Sequence, residues 1–230
     1  MKEFVENLLP LERNLFFMLN GSDFAVLDSL MYNISITKIW FPLYLLVLFV
    51  VCWKTPVKQS ILVALGFVLM VVLCDQLSAS VARPFFERFR PGHHPDFQAM
   101  VKLVNGERGG LYGFFSSHAT NCFGLATLLW LVFRHRWVTL VAFLWATAIA
   151  WSRIYLGKHF VTDVFAGMIV GMLISLALYY FVIVPIQRKL FEIKKSEKIL
   201  FYSEKNGKIL GIGFSAYFVA VVIYSVIFTL

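Results

Sequence analysis

Charge is what this sequence has least of. Only 15% of its 230 residues are charged, against about 25% in an average soluble domain. That scarcity excludes an ordinary water-soluble domain, and 60% hydrophobic residues exclude a disordered chain. Cysteine is nearly absent. Cys52, Cys74 and Cys122 cannot build a disulfide framework, and each falls in or beside an apolar run, where it reads as a small buried hydrophobe. No short apolar run near the start ends in a small-residue cleavage site, so no secretory signal is expected. No strong repeat and no low-complexity stretch is present. Metal-ligand spacing is lacking too: His93 and His94 are adjacent, poor geometry for sharing one ion, so they read as rim residues and no metal or cofactor is expected.

What is present is apolar length. The mean hydropathy is +0.76. A helix crossing the hydrocarbon core needs about 20 mostly apolar residues. Six runs are candidates: Ile36–Trp53, Ser60–Val81, Phe115–Phe133, Trp137–Trp151, Asp163–Val184 and Ile209–Leu230. The expected fold is an all-α integral membrane protein, a six-transmembrane-helix bundle over residues 36–230. Residues 1–35 form an N-terminal segment. Within it Leu8–Asn20 is apolar on one face, with Glu12 and Arg13 on the other, which predicts an interfacial helix.

The formal charge of +8 would suggest nucleic acid in a soluble protein. Here its position along the chain decides. Six spans put both termini on one side, with the second–third and fourth–fifth loops. The opposite side holds eleven of the 21 Lys and Arg, including the dense run Gln187–Lys208, and only Glu192, Glu197 and Glu204 of the acids. Lys and Arg close to span ends mark the cytoplasm. The whole excess is therefore an orientation signal with some affinity for membrane lipids, and no nucleic-acid partner is expected. The termini and the long Gly- and Pro-rich segment Arg83–Phe114 are expected to face outward, into the periplasm of a bacterial inner membrane.

Three polar groups fall at that outer face. In the first, Arg83 and Arg90 are seven apart, about two helical turns, so both can lie on one helix face; Pro91 follows. The second is Ser116-Ser117-His118 at the start of the third run. Serines at a helix start, with unpaired backbone N–H groups, make an anion site. The third is Ser152-Arg153 followed by His159 and Asp163. Four residues apart, His159 and Asp163 can pair, and a carboxylate on one imidazole nitrogen fixes the tautomer and turns the other nitrogen outward. Arginines, two histidines, a carboxylate and an anion-ready helix start suit a tetrahedral oxyanion such as phosphate. Arg88, Lys102, Arg108, His93 and His94 in the loop read as a solvated face or as contacts to a large anionic headgroup.

Those residues resemble the type 2 phosphatidic acid phosphatase superfamily, which also contains soluble vanadium haloperoxidases. Its first motif, Lys, six residues, Arg-Pro, reads here Arg83, six residues, Arg90-Pro91. Its second, Pro-Ser-Gly-His, reads Phe115-Ser116-Ser117-His118. Its third, Ser-Arg, five residues, His, three residues, Asp, is complete in Ser152-Arg153, His159 and Asp163. The resemblance covers residues 75–171. Arg83 stands for the family lysine and Ser117 for its glycine. The resemblance implies that His159 is the nucleophile, Asp163 its partner and His118 the general acid and base. It implies that Arg83, Arg90, Ser116, Ser117 and Arg153 hold the phosphoryl oxygens, with no metal.

The resemblance further implies a membrane lipid phosphatase that hydrolyses a lipid phosphate monoester or diphosphate through a phosphohistidine. Undecaprenyl diphosphate and lipid A are favoured over phosphatidylglycerophosphate. A lipid phosphotransferase would carry the same motifs. A transporter and an inactive lipid-binding scaffold stand behind both, because the motif charges sit at one face and both histidines are present. Nothing in the pattern specifies an oligomeric state.

Overall fold

The computed structural model describes residues 5–197 and 199–227. Among these residues every regular element is helical, and extended backbone pairs only at the bridge Phe89–Tyr112. The principal helices are α1 (Leu9–Leu19), α2 (Ala25–Ser35), α3 (Phe41–Cys52), α4 (Val57–Phe86), α5 (Ser117–Phe133), α6 (Arg136–Tyr155), α7 (Val161–Leu190) and α8 (Glu204–Ile227). By length and apolar character α4, α6, α7 and α8 suffice to cross a membrane, and α2 with α3 makes a fifth if the bent pair is one span. The protein is thus an all-helical membrane protein with four or five helices of spanning length.

The expected run Ile36–Trp53 is helical from Thr37 to Cys52, and a second helix, α2, precedes it across a bend. Ile36 is extended (ψ 114°) and Pro42 lies in the first turn of α3. Proline lacks the N–H that a continuing helix would need and fits a helix start. Ala25–Ser35 and Thr37–Cys52 meet at 68°, and Trp40 Nε1 closes the corner by donating to the Ile34 carbonyl at 2.9 Å. The third run starts two residues late, at Ser117, and others extend further than their apolar residues. The second reaches Phe86 and takes in Arg83, and the fourth reaches Tyr155 and takes in Arg153. Helix propensity carries the backbone on after the hydropathy has ended. The last expected run ends at Leu230, outside the described residues, as does Lys198.

At the centre is α5, buried on nearly every side. Around it α4, α7 and α8 turn Leu65, Val68, Phe165, Leu173 and Val219 outward, as a lipid-facing surface requires. Helices in lipid gain from close approach rather than from apolar area, so small residues mark their contacts. A Cβ on Gly171 would lie 2.1 Å from the Thr120 carbonyl oxygen, and one on Gly167 would lie 2.7 Å from that of Ser116. Gly171→Ala is therefore expected to force α5 and α7 apart, at a cost of about 1–3 kcal/mol. A melting temperature in detergent lowered by about 5 °C checks this.

The loop between α4 and α5 is held at its two ends. Glu87 takes a left-handed conformation (φ 48°) that ends α4. The Gly113 N–H donates to the Arg88 carbonyl at 2.9 Å, and the Arg90 N–H donates to that of Leu111 at 3.0 Å. Three short 3-10 turns follow, and the loop sinks Phe97 and Val101 into the core. His94 is buried and stacks on Phe97 at 4.1 Å, so it is not a rim residue. His93 is a rim residue, its Nε2 3.1 Å from the Gly109 carbonyl.

In α1, Glu12 and Arg13 do not share one polar face: Glu12 is buried and Arg13 is exposed. Leu11, Leu15 and Met18 point outward, while Glu12 and Phe16 are buried. Phe16 meets Phe160 edge to face at 5.2 Å. Beyond the helix, Asn20 Nδ2 donates to the carbonyls of Lys102 and Tyr155 at 3.0 and 2.9 Å. The segment is thereby fixed over the C-terminal end of α6 and the N-terminal end of α7.

Candidate active site

Each of the three polar groups is aimed by a helix end. A π turn, Leu77–Ala82, precedes Arg83. Its extra residue per turn re-aims the end of α4, and Arg83 donates to Ser117 Oγ, which also accepts from Ser78 Oγ at 2.7 Å. Two of the departures from the family motifs, Arg83 and Ser117, therefore touch each other. A guanidinium replaces lysine where a hydroxyl replaces glycine to receive it.

Arg90 comes from the loop. Its Nε donates to the Tyr112 carbonyl at 3.1 Å and its Nη1 to that of Lys158 at 3.3 Å. Arg153, in the last turn of α6, donates to Ser35 Oγ at the end of α2. The Ser35 backbone also lies against the His118 ring in the first turn of α5. The Ser116 N–H donates to the Asp163 carbonyl at 3.0 Å, joining the start of α5 to the start of α7. First-turn N–H groups of a helix have no intrahelical acceptor.

His159 sits just before α7. Its Nδ1 is 3.6 Å from Asp163 Oδ2, and the Phe160 N–H donates to that same oxygen at 2.9 Å. Gly113 fills the remaining side. A Cβ there would lie 2.9 Å from Arg90 Cγ, 3.3 Å from Asp163 Oδ2 and 3.4 Å from His159 Nδ1. Only a glycine lets the loop backbone come this close.

The structure thus brings together all eight sequence-predicted site residues: Arg83, Arg90, Ser116, Ser117, His118, Arg153, His159 and Asp163. The electrostatics of the cluster are lopsided. Among the described residues no carboxylate forms an ion pair with Arg83, Arg90 or Arg153. Burial, reinforced by the charge of Arg83, pushes the Arg90 guanidinium down to about 10. Burial, then the charges of Arg90, Arg153 and Arg83, hold the His159 imidazole well below the usual histidine range. The imidazole is therefore held in its neutral form. Several buried polar atoms here lack a protein partner: Arg83 Nε, Arg153 Nε, Ser116 Oγ and His159 Nδ1. Unpaired buried cations are costly, and an anion bound among them removes the cost. No three His, Cys, Asp or Glu side chains among the described residues gather as a metal site.

Two residues in contact with this cluster were read otherwise from the sequence. Arg88 is fully buried rather than a solvated loop residue, and its Nη1 donates to Asp163 Oδ1 at 2.6 Å. Glu12 is 4% exposed and accepts from Arg88. The available signal was the rarity of ionisable residues in apolar segments, which marks them as functional candidates.

Comparisons with known proteins agree on one family. The family described as the PAP2 superfamily matches residues 60–185. The lipid A 4'-phosphatase of Porphyromonas gingivalis is 42% identical over 175 residues, 76% of this chain and 74% of that protein. The undecaprenyl-diphosphatase of Sulfolobus acidocaldarius is 28% identical over 167 residues, 70% of this chain and 73% of that protein. Among solved structures, the crystal structure of Aquifex aeolicus LpxE is similar with a TM-score of 0.55 and 26% identity, over 74% of this chain and 96% of that one.

Proposed function

This chain belongs to the PAP2 superfamily and is a membrane lipid phosphatase, and we propose that it removes phosphate from a lipid A-type glycolipid through a phosphohistidine. The observation that carries the reading is the set of three carboxylate-free arginines around a neutral, buried His159. Those charges are complementary to a phosphoryl dianion and strengthen their hold as charge builds on its oxygens.

His159 Nε2, opposite Asp163, attacks phosphorus. The N–P bond forms as the bond to the lipid oxygen breaks, and His118 gives that oxygen its proton. Asp163 stabilises the positive charge left on the ring. Water then attacks the phosphohistidine, His118 takes its proton, and inorganic phosphate leaves. Arg83, Arg90 and Arg153 hold the oxygens throughout, with Ser116 and the Ser117 N–H, and Ser117 Oγ keeps Arg83 in place.

A sugar headgroup is supported by a second feature. One stripe of α2 carries Ala25, Asp28, Tyr32 and Ser35, spaced to share a face. Ser35 touches Arg153, and the others line an open pocket of about 390 Å³ together with Lys102, Leu103, Val104 and Asn105. Its hydroxyl, carboxylate and amide groups suit a polyhydroxylated ring, which an isoprenyl diphosphate lacks. The test is phosphate release by purified protein from lipid A, undecaprenyl diphosphate and phosphatidylglycerophosphate. Lipid A is expected to be the best substrate. Tyr32→Phe is expected to raise KM about 3–10-fold for lipid A alone, one lost hydrogen bond. Preference for undecaprenyl diphosphate, with KM unmoved, overturns the lipid A reading.

In this reading the membrane is crossed six times. The bent α2–α3 pair is the first span and α5 is a short one shielded by its neighbours. The basic segment between α7 and α8 is cytoplasmic, so the site opens on the outer face of a bacterial inner membrane.

A further inference from the structure

A guanidinium with no exposure is tolerated only if paired, and Arg88 is paired twice. Its Nη1 donates to Asp163 Oδ1 at 2.6 Å and to Thr162 Oγ1 at 2.7 Å. Its Nη2 donates to Glu12 Oε1. Its plane lies over the Phe160 ring, 4.6 Å from the centroid. Glu12 Oε2 accepts from the Thr162 N–H at 2.7 Å, and its Oε1 accepts from Thr162 Oγ1 at 2.7 Å. A continuous buried chain therefore runs His159–Asp163–Arg88–Glu12, from the reacting ring to the N-terminal helix.

The signs along this chain matter. Asp163 alone beside Arg88 would be largely cancelled, leaving little charge to stabilise a cationic ring on His159. Glu12 cancels Arg88 from its far side. We propose that Arg88 and Glu12 are positioning residues for the reaction: Arg88 fixes the plane of the Asp163 carboxylate, and Glu12 neutralises Arg88 so that Asp163 keeps its charge for the phosphohistidine. The N-terminal helix is on this account part of the catalytic apparatus. The proposal rests on the reading of His159 as nucleophile.

The expected effects follow from charge. His159 is faced by Arg83 from α4, Arg90 from the loop, Arg153 from α6, His118 from α5 and Asp163 from α7. Glu12→Gln keeps the shape and adds one net positive charge to this field. Protonation of His159 becomes harder, so the acid limb of the kcat/KM profile moves to lower pH. The maximal rate of phosphoenzyme formation falls roughly tenfold, because its cationic ring is less stabilised. Arg88→Gln removes a positive charge, so the limb moves to higher pH, and the rate falls about 100-fold as Asp163 loses its anchor. In the double variant the net charge is that of the native cluster, and the limb returns toward its native place.

The experiment measures pH–rate profiles of native, Glu12→Gln, Arg88→Gln and double-variant proteins, with radiolabelled phosphoenzyme trapped during turnover. Opposite displacements of the limb by the single variants, and its return in the double, support the proposal. Folded variants that lose rate with the limb unmoved assign the pair a structural role only and overturn it. If Arg88→Gln does not fold, Glu12→Asp against Glu12→Gln carries the test. The charge-keeping variant must leave the limb in place and the neutral one must lower it. Native protein that forms no acid-labile phosphoenzyme refutes the nucleophile reading instead, a result separable from either outcome.

Discussion

His159→Ala is expected to abolish phosphate release, by at least about 10⁴-fold, the scale on which loss of a nucleophile acts in a concerted group. Nothing nearby can replace it. Asp163 is turned toward Arg88 and the Phe160 N–H, and His118 stands on another helix with the leaving oxygen to serve. The variant is expected to fold. The ring is neutral and buried, its Nδ1 lacks a hydrogen-bond partner, and its removal breaks no ion pair that the native state depends on. Phosphate binding is expected to survive, because Arg83, Arg90 and Arg153 keep their backbone and hydroxyl anchors. The measurement is phosphate release in detergent beside protection of the melting temperature by inorganic phosphate. Full activity in the variant sinks the nucleophile assignment. Loss of activity together with loss of protection points to an arginine cradle that has collapsed.

The membrane nature, the family and the residues of the cluster were legible in the sequence, because each rests on residue type and spacing. Hydropathy marked the apolar runs, and the third motif was complete. The facing of α1 was not legible. A helix in water turns its apolar stripe inward, whereas in lipid the surroundings are as apolar as leucine and the stripe carries no preference for the interior. Polar groups must then find partners inside the protein, so Glu12 turns in and Leu11 and Met18 turn out. Arg88 was hidden for a related reason. Its neighbours Arg83 and Arg90 hold the motif positions, and only the left-handed turn at Glu87 decides that Arg88 points at Asp163. The break between α2 and the helix that follows falls at Ile36, an ordinary residue at the start of an apolar run until the corner closed by Trp40 is seen. The partnership of Arg83 with Ser117 is a contact over 34 residues. Each substitution looked like a separate departure, and their shared hydrogen bond makes them one.

His118 is where chemistry separates two roles that spacing cannot. On the proposed mechanism it is an acid in the first step, and the need for it depends on the leaving oxygen. A sugar or lipid alkoxide is a strong base and must be protonated as it departs, whereas an aryl oxide leaves unaided. In the second step it is a base toward water, whatever the substrate was. His118→Ala is therefore expected to lose about 10³-fold on a lipid phosphate, within the usual range for a general acid–base group. On an aryl phosphate the first step is expected to persist and the second to stall. Mixing enzyme with p-nitrophenyl phosphate should then give a burst of phenolate close to one per site, followed by a slow steady rate. The label should remain on the protein as an acid-labile, base-stable phosphohistidine, lost in the His159→Ala background. The position of His118 fits this, in the first turn of α5 with the Ser35 backbone against its ring and Arg153 and Arg90 close enough to feel its charge. Equal loss on both substrates with no burst would instead make His118 a group that holds phosphate, and the leaving oxygen would need another acid.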